Sequence, residues 1–372
     1  MKIPNGHEII QLFETYAPKF LAMEGDKIGL QVGQLNKQVN KVLVTLDVLE
    51  EVVDEAIEKG AQLIIAHHPL IFRPLTSIQT EQTYGRVIEK LIKNNIAVYC
   101  AHTNLDVAKG GVNDLLAQSL QLQNTEVLVP TYEDSLKKLV VFVPKNHAEE
   151  IRQLLGNLGA GAIGEYSHCS FSIDGTGRFL PNEETNPYIG QAGQLEAVEE
   201  VRVETVIPSS LEREIVREML RKHPYEEPAY DIYPLNIRGE QLGLGRIGYL
   251  REEMSLAQFA EFAKEVFQVK SLRVVGNLQD KVKKVAVLGG DGNKYFHNAI
   301  RKGADVYVTG DFYYHTAHDA MMAGLNVVDP GHHIEQVMKQ GVVNKMTELC
   351  QQARYNVDII PSTKNTDPFQ FI

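Results

Sequence analysis

The sequence is poor in cysteine and has no long apolar run, and both absences narrow what the protein can be. Cys100, Cys169 and Cys350 are widely separated and form no Cys-x-x-Cys pair, so we expect neither a disulfide framework nor a thiolate zinc site. No apolar run approaches the roughly 18 residues of a membrane span. The N-terminal segment Met1–Gly6 lacks the apolar core of a signal peptide. We therefore expect a cytoplasmic protein with no membrane partner.

Positive charge is also scarce, with 37 Lys and Arg against 48 Asp and Glu and a net charge of −11. This balance disfavours a nucleic-acid or anionic-membrane surface. The chain has no Walker A motif, no Gly-x-Ser-x-Gly elbow and no context that marks Cys100 as a nucleophile. At 372 residues, 44% of them hydrophobic, it can bury a full core, and a prior of about 100–200 residues per domain predicts two or three domains.

The most informative stretch is the histidine pair His67-His68, which closes the apolar run Ala61–Ile65 and precedes Pro69. The run predicts a short buried strand that stops at the proline. Ligands in α/β sheets bind beyond the carboxyl ends of parallel strands. Neighbouring side chains on an extended backbone point in opposite directions, so we expect each imidazole to hold one ion of a pair. A single partly buried histidine with an unrelated neighbour is the alternative for this stretch alone.

Two further predicted strand ends carry side chains that can bind metals. His102 and Asp106 follow the strand pattern of Ile96–Cys100, and His332 and Glu335 follow a third strand and a glycine turn. Asp106 by itself would fit a turn or a helix cap, but three such strand ends together predict a metal site. The predicted ligands are His67, His68, Asp106, His332 and Glu335.

Imidazole and carboxylate donors suit zinc, manganese, iron or nickel, and we expect two divalent ions per chain, with zinc as the first choice. Ions about 3.5–4 Å apart need a bridging carboxylate and would lower the pKa of a shared water. Glu335 is the first candidate for the bridge and Asp106 the second. We expect His102 behind the ligands, where it would orient one of them or move protons. The sequence assigns no catalytic residue.

Other residues offer weaker signals. His333 competes with His332 for the ligand role. His315 and His318 could line the pocket, but a solvated helix face is the better account of them. The segment Gly289–Lys294 follows a predicted strand and precedes a helix, so it could cradle a phosphate, but it lacks the Gly-Lys-Ser/Thr ending of a Walker A motif.

The order of predicted elements indicates an α/β protein with an insertion. Residues 1–127 alternate strands and helices, residues 128–238 follow the β-α-β-β-α-β order of a ferredoxin-like domain, and the first pattern returns over residues 239–372. Ala56–Ala61 (Ala-Ile-Glu-Lys-Gly-Ala) is similar to Ala299–Ala304 (Ala-Ile-Arg-Lys-Gly-Ala). We therefore expect two similar α/β halves that form one domain, interrupted by an α+β domain.

These motifs resemble those of the Nif-three-like family, the GTP cyclohydrolase type 2 homologues. The similar residues are Asp26, Gly29 to Gly33, Ala66 to Pro69, Thr103 to Asp106, Thr309 to Asp311, Gly331 and His332 with Glu335, and Thr366 to Phe369. The resemblance implies a dinuclear metal site in an α/β domain and a toroidal homohexamer whose sites face an internal cavity. Some members of the family place the glutamate four residues after the histidine, whereas Glu335 follows His332 by three.

The resemblance also extends to the insertion. Longer bacterial members of the family carry a domain similar to PII and CutA-type proteins. His223–Pro228, which reads His-Pro-Tyr-Glu-Glu-Pro, is similar to a CutA-type motif. We therefore expect a PII/CutA-like inserted domain.

Two functions stay open at this point. The first is a metal-dependent hydrolase, of cyclohydrolase or phosphoesterase type, acting on a nucleotide-like or other phosphorylated or heterocyclic small molecule. The second is a non-enzymatic metal-handling or regulatory oligomer that senses a small molecule through the inserted domain. No residue in the sequence indicates guanine recognition.

Overall fold

The computed structural model describes residues 1–372 and shows a mixed α/β protein with two sheets and 11 α-helices. The α/β class predicted from the sequence is confirmed. The chain forms two compact units: unit 1 contains Met1–Tyr132 and Leu242–Ile372, and unit 2 contains Glu133–Gln241. None of the helices combines the length and the apolar character that crossing a membrane requires.

The elements are numbered in chain order. The strands are β1 (Gly29–Val32), β2 (Lys41–Thr45), β3 (Leu63–Ala66), β4 (Ala97–Cys100), β5 (Gln123–Pro144), β6 (Ser170–Phe179), β7 (Glu196–Pro208), β8 (Tyr230–Ser255), β9 (Arg273–Val275), β10 (Lys281–Asp291), β11 (Val306–Gly310), β12 (Asn326–Asp329) and β13 (Asp358–Pro361). The helices are α1 (Gly6–Tyr16), α2 (Glu50–Glu58), α3 (Thr83–Lys93), α4 (Thr103–Val107), α5 (Val112–Ser119), α6 (Ala148–Asn157), α7 (Glu212–Lys222), α8 (Leu256–Val266), α9 (Phe296–Arg301), α10 (Tyr314–Met322) and α11 (Val337–Gln352).

The first sheet lies wholly in unit 1 and has the strand order β1-β4-β3-β2-β13. Strands β4, β3, β2 and β13 are parallel, and β1 pairs antiparallel with β4. All residues of β3 and β4 are buried, because one face packs against α2 and α3 and the other against the main core. Continuous apolar strands of this kind are typical of parallel sheets covered on both faces.

Unit 1 also contains a second set of parallel strands, β10, β11 and β12, in the order β8-β10-β11-β12-β9. The flanking β8 and β9 run antiparallel to their neighbours. Side chains of the two strand sets join those of α1, α5, α8 and α11 in one hydrophobic core. The chain carries a strand–helix–strand unit in each set, β2-α2-β3 in the first and β10-α9-β11 in the second.

Unit 2 places two helices against an antiparallel sheet. Along the chain its elements run β5, α6, β6, β7, α7 and β8, and the strands lie in the order β6-β7-β5-β8. Strand β7 pairs antiparallel with both β5 and β6. The core of this unit contains inward-facing residues of β5 and β7, including Leu139 and Val203, with Ile151 of α6 and Ile215 of α7.

Three elements differ from the sequence interpretation. The sequence predicted strands over residues 138–143 and 229–235, whereas β5 has 22 residues and β8 has 26. Much of each strand is exposed, so apolar periodicity marks only its buried part. The predicted helix start after Gly331 is a 3₁₀ turn, His332–Gln336, which precedes α11. A 3₁₀ turn has three residues per turn and aligns positions i and i+3, which brings His332 and Glu335 onto one side.

Candidate metal centre

The carboxyl ends of strands in unit 1 deliver the predicted ligands to one place. His67 and His68 directly follow β3, Asp106 lies in α4 just after β4, and His332 and Glu335 lie in the 3₁₀ turn after β12. The backbone N–H groups of His67 and His68 donate to Thr45 O (3.2 Å) and Leu46 O (2.9 Å). The pair is therefore held against the end of β2 by a continuation of the parallel ladder.

The donor atoms converge on one carboxylate oxygen, Glu335 Oε2. It lies 3.0 Å from His68 Nε2, 3.3 Å from His332 Nε2 and 3.7 Å from His67 Nε2. His67 Nε2 in turn lies 3.6 Å from Asp106 Oδ1. Two groups of possible metal ligands result, His68–His332–Glu335 and His67–Asp106–Glu335, and Glu335 belongs to both.

Each of these histidines is held through its other ring nitrogen. His67 Nδ1 donates to Ala101 O at 2.9 Å, and His68 Nδ1 contacts Asp47 Oδ1 at 2.7 Å. His332 Nδ1 contacts Asp311 Oδ2 at 2.7 Å. Such contacts fix the ring orientation and leave Nε2 as the donor toward a metal.

Two buried atoms at the cluster have no hydrogen-bond partner, His67 Nε2 and Asp106 Oδ1. An unsatisfied buried polar group costs about 1–3 kcal/mol, and native proteins contain few of them. A divalent cation between the two atoms would satisfy both. The residues present therefore fit a bound metal ion, because two of their buried polar atoms have no other partner.

The neighbouring carboxylates favour protonation of two histidines. Burial alone would lower the pKa of His68, but its contacts with Asp47 and Glu335 outweigh burial and raise its pKa to about 10. Burial also opposes the charged form of His332, but its contacts with Glu335 and Asp311 outweigh burial and raise its pKa to about 9. A metal must displace such protons from Nε2, so metal binding at this cluster is coupled to proton release.

The two buried carboxyl groups have opposite shifts. Burial opposes the charge on Glu335, but the close imidazoles of His332, His67 and His68 outweigh burial and hold its pKa well below the usual range. Burial raises the pKa of Asp106, and the nearby Glu335 carboxylate adds to this effect. Two buried carboxyl groups this close together repel each other when both are ionised. A bound cation would offset this repulsion and favour the charged form of both.

His102 stands beside the cluster with a carboxylate behind it. Its ring centroid lies 5.3 Å from that of His67, and its Nδ1 contacts Asp26 Oδ1 at 2.8 Å. Asp26 is held in turn by the backbone N–H of Thr103 at 3.0 Å and by the Thr103 hydroxyl. His102 could also join His67 and His68 in a third group of possible ligands.

The glycine-rich segment after β10 makes room for the shared carboxylate. A Cβ atom at Gly289 would lie 2.8 Å from Glu335 Oε1, and one at Gly290 would lie 2.9 Å from the same atom. Gly290 also has a φ of +66°, which a residue with a side chain rarely adopts. The absence of a side chain at these two glycines therefore lets the Glu335 carboxylate lie close to the backbone of this segment.

The remaining sequence candidates lie outside the cluster. His315 and His318 are on an exposed face of α10. The half-buried His333 contacts the Thr366 hydroxyl at 3.5 Å through Nε2. Burial raises the pKa of the Cys100 thiol, which disfavours the thiolate form that a nucleophile needs.

A cavity of about 530 Å³ opens onto the cluster. Besides His68, His102, His332 and both acids, its lining includes Met23, Phe72, Lys294 and Tyr295. Apolar walls with a few convergent polar groups are typical of small-molecule sites.

The sequence interpretation assigned no role to the three carboxylates behind the histidines, Asp26, Asp47 and Asp311, although Asp26 and Asp311 lie in the motifs that carry the family resemblance. Asp311 directly follows the parallel strand β11, and Asp47 lies two residues after the parallel strand β2, at the same kind of strand end as the predicted ligands. That position was the available signal.

Comparisons with known proteins agree with the resemblance seen in the sequence. The profile of the Duf34/NIF3 family (NGG1p interacting factor 3) matches residues 4–368. A Bacillus subtilis (strain 168) protein named GTP cyclohydrolase 1 type 2 homolog is 60% identical over 371 residues, and the match covers 100% of both chains. A protein of the same name from Halalkalibacterium halodurans is 58% identical over 372 residues, again with 100% coverage of both.

Solved structures agree as well. A Bacillus cereus protein related to NIF3 superposes with a TM-score of 0.95 at 65% identity, and the match covers 100% of both chains. A Staphylococcus aureus protein superposes with a TM-score of 0.76 at 34% identity, also over 100% of both. The chain belongs to the DUF34/NIF3 family.

Proposed function

We propose that the protein binds two divalent metal ions and uses them to hydrolyse a small molecule. The observation that carries this proposal is the position of Glu335, which contributes to both groups of possible ligands. One group would be completed by His68 and His332 and the other by His67 and Asp106. A shared carboxylate is what a two-metal site needs.

The donor set consists of imidazole nitrogens and carboxylate oxygens, which suits zinc first and manganese, iron or nickel as alternatives. When bound, such ions supply Lewis-acid chemistry for hydrolysis. Asp47 and Asp311 orient His68 and His332 from behind. We assign His102, held by Asp26, the role of orienting a reactant or moving a proton at the edge of the cluster.

The substrate class we propose is a nucleotide-like or other phosphorylated heterocycle. The cavity beside the cluster offers Lys294 for an anionic group and Phe72 and Tyr295 for a flat ring. The names of the Bacillus subtilis and Halalkalibacterium relatives, GTP cyclohydrolase 1 type 2 homolog, point to the same class.

We also propose the assembly and the identity of the insertion. The strand order β6-β7-β5-β8, with a helix after β5 and after β7, supports a ferredoxin-like, PII/CutA-like domain over residues 128–238, between Nif-three-like halves at residues 1–127 and 239–372. A toroidal homohexamer is consistent with exposed apolar side chains such as Tyr314 and Met322 on α10. Light scattering coupled to size-exclusion chromatography tests the hexamer, and a monomeric mass would refute it.

Metal analysis of the purified protein tests the proposed centre. We expect about two ions per chain and a clear loss in His68→Ala and Glu335→Ala. His318→Ala is the matched control, because it removes an exposed histidine outside the cluster. The absence of stoichiometric metal after incubation with zinc or manganese would refute the metal site.

A second experiment separates hydrolysis from metal handling. Asp106→Asn keeps the size of the side chain but removes the charge of a possible ligand. If the protein is a hydrolase, this variant should lose turnover in a screen of nucleotides while keeping its assembly state. If neither the unchanged protein nor Asp106→Asn turns over any substrate, and the unchanged protein only binds and releases metal, the non-enzymatic alternative replaces the hydrolase.

A further inference from the structure

Unit 2 contains a cavity of its own, of about 460 Å³. Four aromatic side chains line it, Phe142, Phe179, Tyr188 and Tyr225. The ring centroid of Tyr225 lies 5.8 Å from that of Phe179 and 6.4 Å from that of Tyr188. His147 Nε2 lies 3.0 Å from the Tyr188 hydroxyl, which holds that ring beside the opening.

A buried carboxylate also faces this cavity. Glu200 of β7 is only 9% exposed, and its Oε1 accepts a hydrogen bond from the Tyr225 hydroxyl at 2.9 Å. A Cβ atom at Gly177 would lie 2.1 Å from Glu200 Oε2. The absence of a side chain at position 177 thus makes room for this carboxylate in the cavity wall.

The balance of charge around the cavity is negative. Its lining contains the carboxylates of Glu200, Glu226 and Glu227 and a single cationic side chain, Arg178. Aromatic faces attract cations through their quadrupole, by about 0.5–2 kcal/mol per contact. A partly desolvated carboxylate adds a Coulombic attraction that is stronger than in water. An anion would meet repulsion from three acids.

We propose that this cavity binds a small organic cation, an ammonium group carried on an apolar or aromatic body. The aromatic rings of Tyr188, Tyr225 and Phe179 would pack against the body, and Glu200 would pair with the charge. This site is built from residues of unit 2 alone, and it goes beyond the hydrolase function proposed for unit 1.

Isothermal titration of the full chain with choline and with phenethylammonium tests this site. We expect saturable binding of at least one of them. The uncharged isostere of choline, 3,3-dimethylbutan-1-ol, should bind much more weakly, since it keeps the shape and loses the charge. Glu200→Gln should weaken cation binding by at least about tenfold. Glu183→Gln, an exposed acid outside the cavity lining, is the matched control and should bind as the unchanged protein does.

Tyr188→Leu provides a second variant that does not depend on the buried acid. Tyr188 is about half exposed, so its replacement should leave the fold intact and still weaken binding of the cation. Absence of saturable binding for both probes would overturn the proposal. Equal affinity for choline and its neutral isostere, or unchanged affinity in folded Glu200→Gln or Tyr188→Leu, would overturn it as well.

Discussion

Replacing Glu55 tests how the segment after β13 is attached to the protein. The Glu55 carboxylate is 3% exposed and accepts hydrogen bonds from Ser362 Oγ at 2.5 Å, Thr363 N at 3.0 Å and Thr363 Oγ1 at 2.7 Å. Lys59 Nζ lies 2.8 Å from the same carboxylate. One side chain of α2 therefore holds three polar groups of the C-terminal segment.

The size of the effect follows from the pKa of Glu55. Burial opposes its ionisation, but hydrogen bonds from Lys59, Ser362 and Thr363 outweigh burial and lower the pKa from 4.5 to about 2. A shift of this size corresponds to at most about 3.5 kcal/mol of stability. Lys59 is partly exposed, and solvent screening of that ion pair reduces the expected contribution to about 1–2 kcal/mol.

The sign of the pH dependence is determined by the direction of the shift. Because the pKa of Glu55 is lower in the folded protein than in the unfolded chain, the folded state binds fewer protons there. The stabilisation is therefore complete above pH 4.5 and is lost as the pH falls toward about 2.

Urea unfolding followed by circular dichroism measures this contribution. We expect Glu55→Gln to lower the free energy of unfolding by about 1–2 kcal/mol at pH 7 and by less with each step of acidification below pH 4.5. Glu58→Gln, an exposed acid on the same helix, is the control and should change little. A Glu55→Gln deficit that stays constant from neutral to acid pH, or that equals the Glu58→Gln deficit, would refute the reasoning.

Replacing Glu55 should also weaken metal binding at the candidate centre. Thr366, which follows the anchored segment, donates its hydroxyl to Asp47, and Asp47 contacts His68 Nδ1 at 2.7 Å. Loss of an orienting contact of this type typically weakens metal binding by about 10–100-fold. We therefore expect Glu55→Gln to weaken zinc binding, to a smaller extent than direct replacement of His68, and competition with a chromogenic chelator measures it.

Three further predictions concern other parts of unit 1. Asp114→Ala should lower the free energy of unfolding by about 3 kcal/mol. The buried Arg246 guanidinium, which lies 2.9 Å from Asp114 Oδ2, would keep its hydrogen bonds to two backbone carbonyls but would lose the carboxylate that balances its charge. An equal deficit in Glu253→Gln, which breaks an exposed ion pair, would contradict this. Gly289→Ala should weaken metal binding while circular dichroism stays unchanged, because the new Cβ would lie 2.8 Å from Glu335 Oε1. Removal of metal with a chelator should lower the melting temperature, by the equivalent of about 2.7 kcal/mol when free metal had been at 100 times its dissociation constant, and an unchanged melting temperature would argue against a tightly held metal.

Much of the fold class and the position of the candidate ligands could be predicted from the sequence. Apolar runs that end in a proline or a glycine turn are local signals, and they correctly placed His67-His68 and His332 at the ends of strands. The structure brings all five predicted residues into one cluster; their role as metal ligands stays a prediction that metal analysis must test.

Other features could not be predicted because their signals are not local. Long parts of the strands β5 and β8 are exposed or only half-buried. Apolar periodicity is weak in such parts, because neither face of the strand packs fully against apolar residues. The contacts between the histidines and the carboxylates behind them could not be predicted for a related reason. His102 contacts Asp26 across a separation of 76 residues, and no local pattern joins two positions so far apart.

The sequence by itself determined which side chains lie at strand ends, because strand formation depends on the alternation of apolar residues and breakers over a few positions. Only the tertiary structure decided that Glu335 lies 3.0 Å from His68, 267 residues earlier in the chain. The two residues follow strands of different sheets, β12 and β3, and their meeting depends on how the shared core packs those sheets and on two glycines that leave space for a carboxylate.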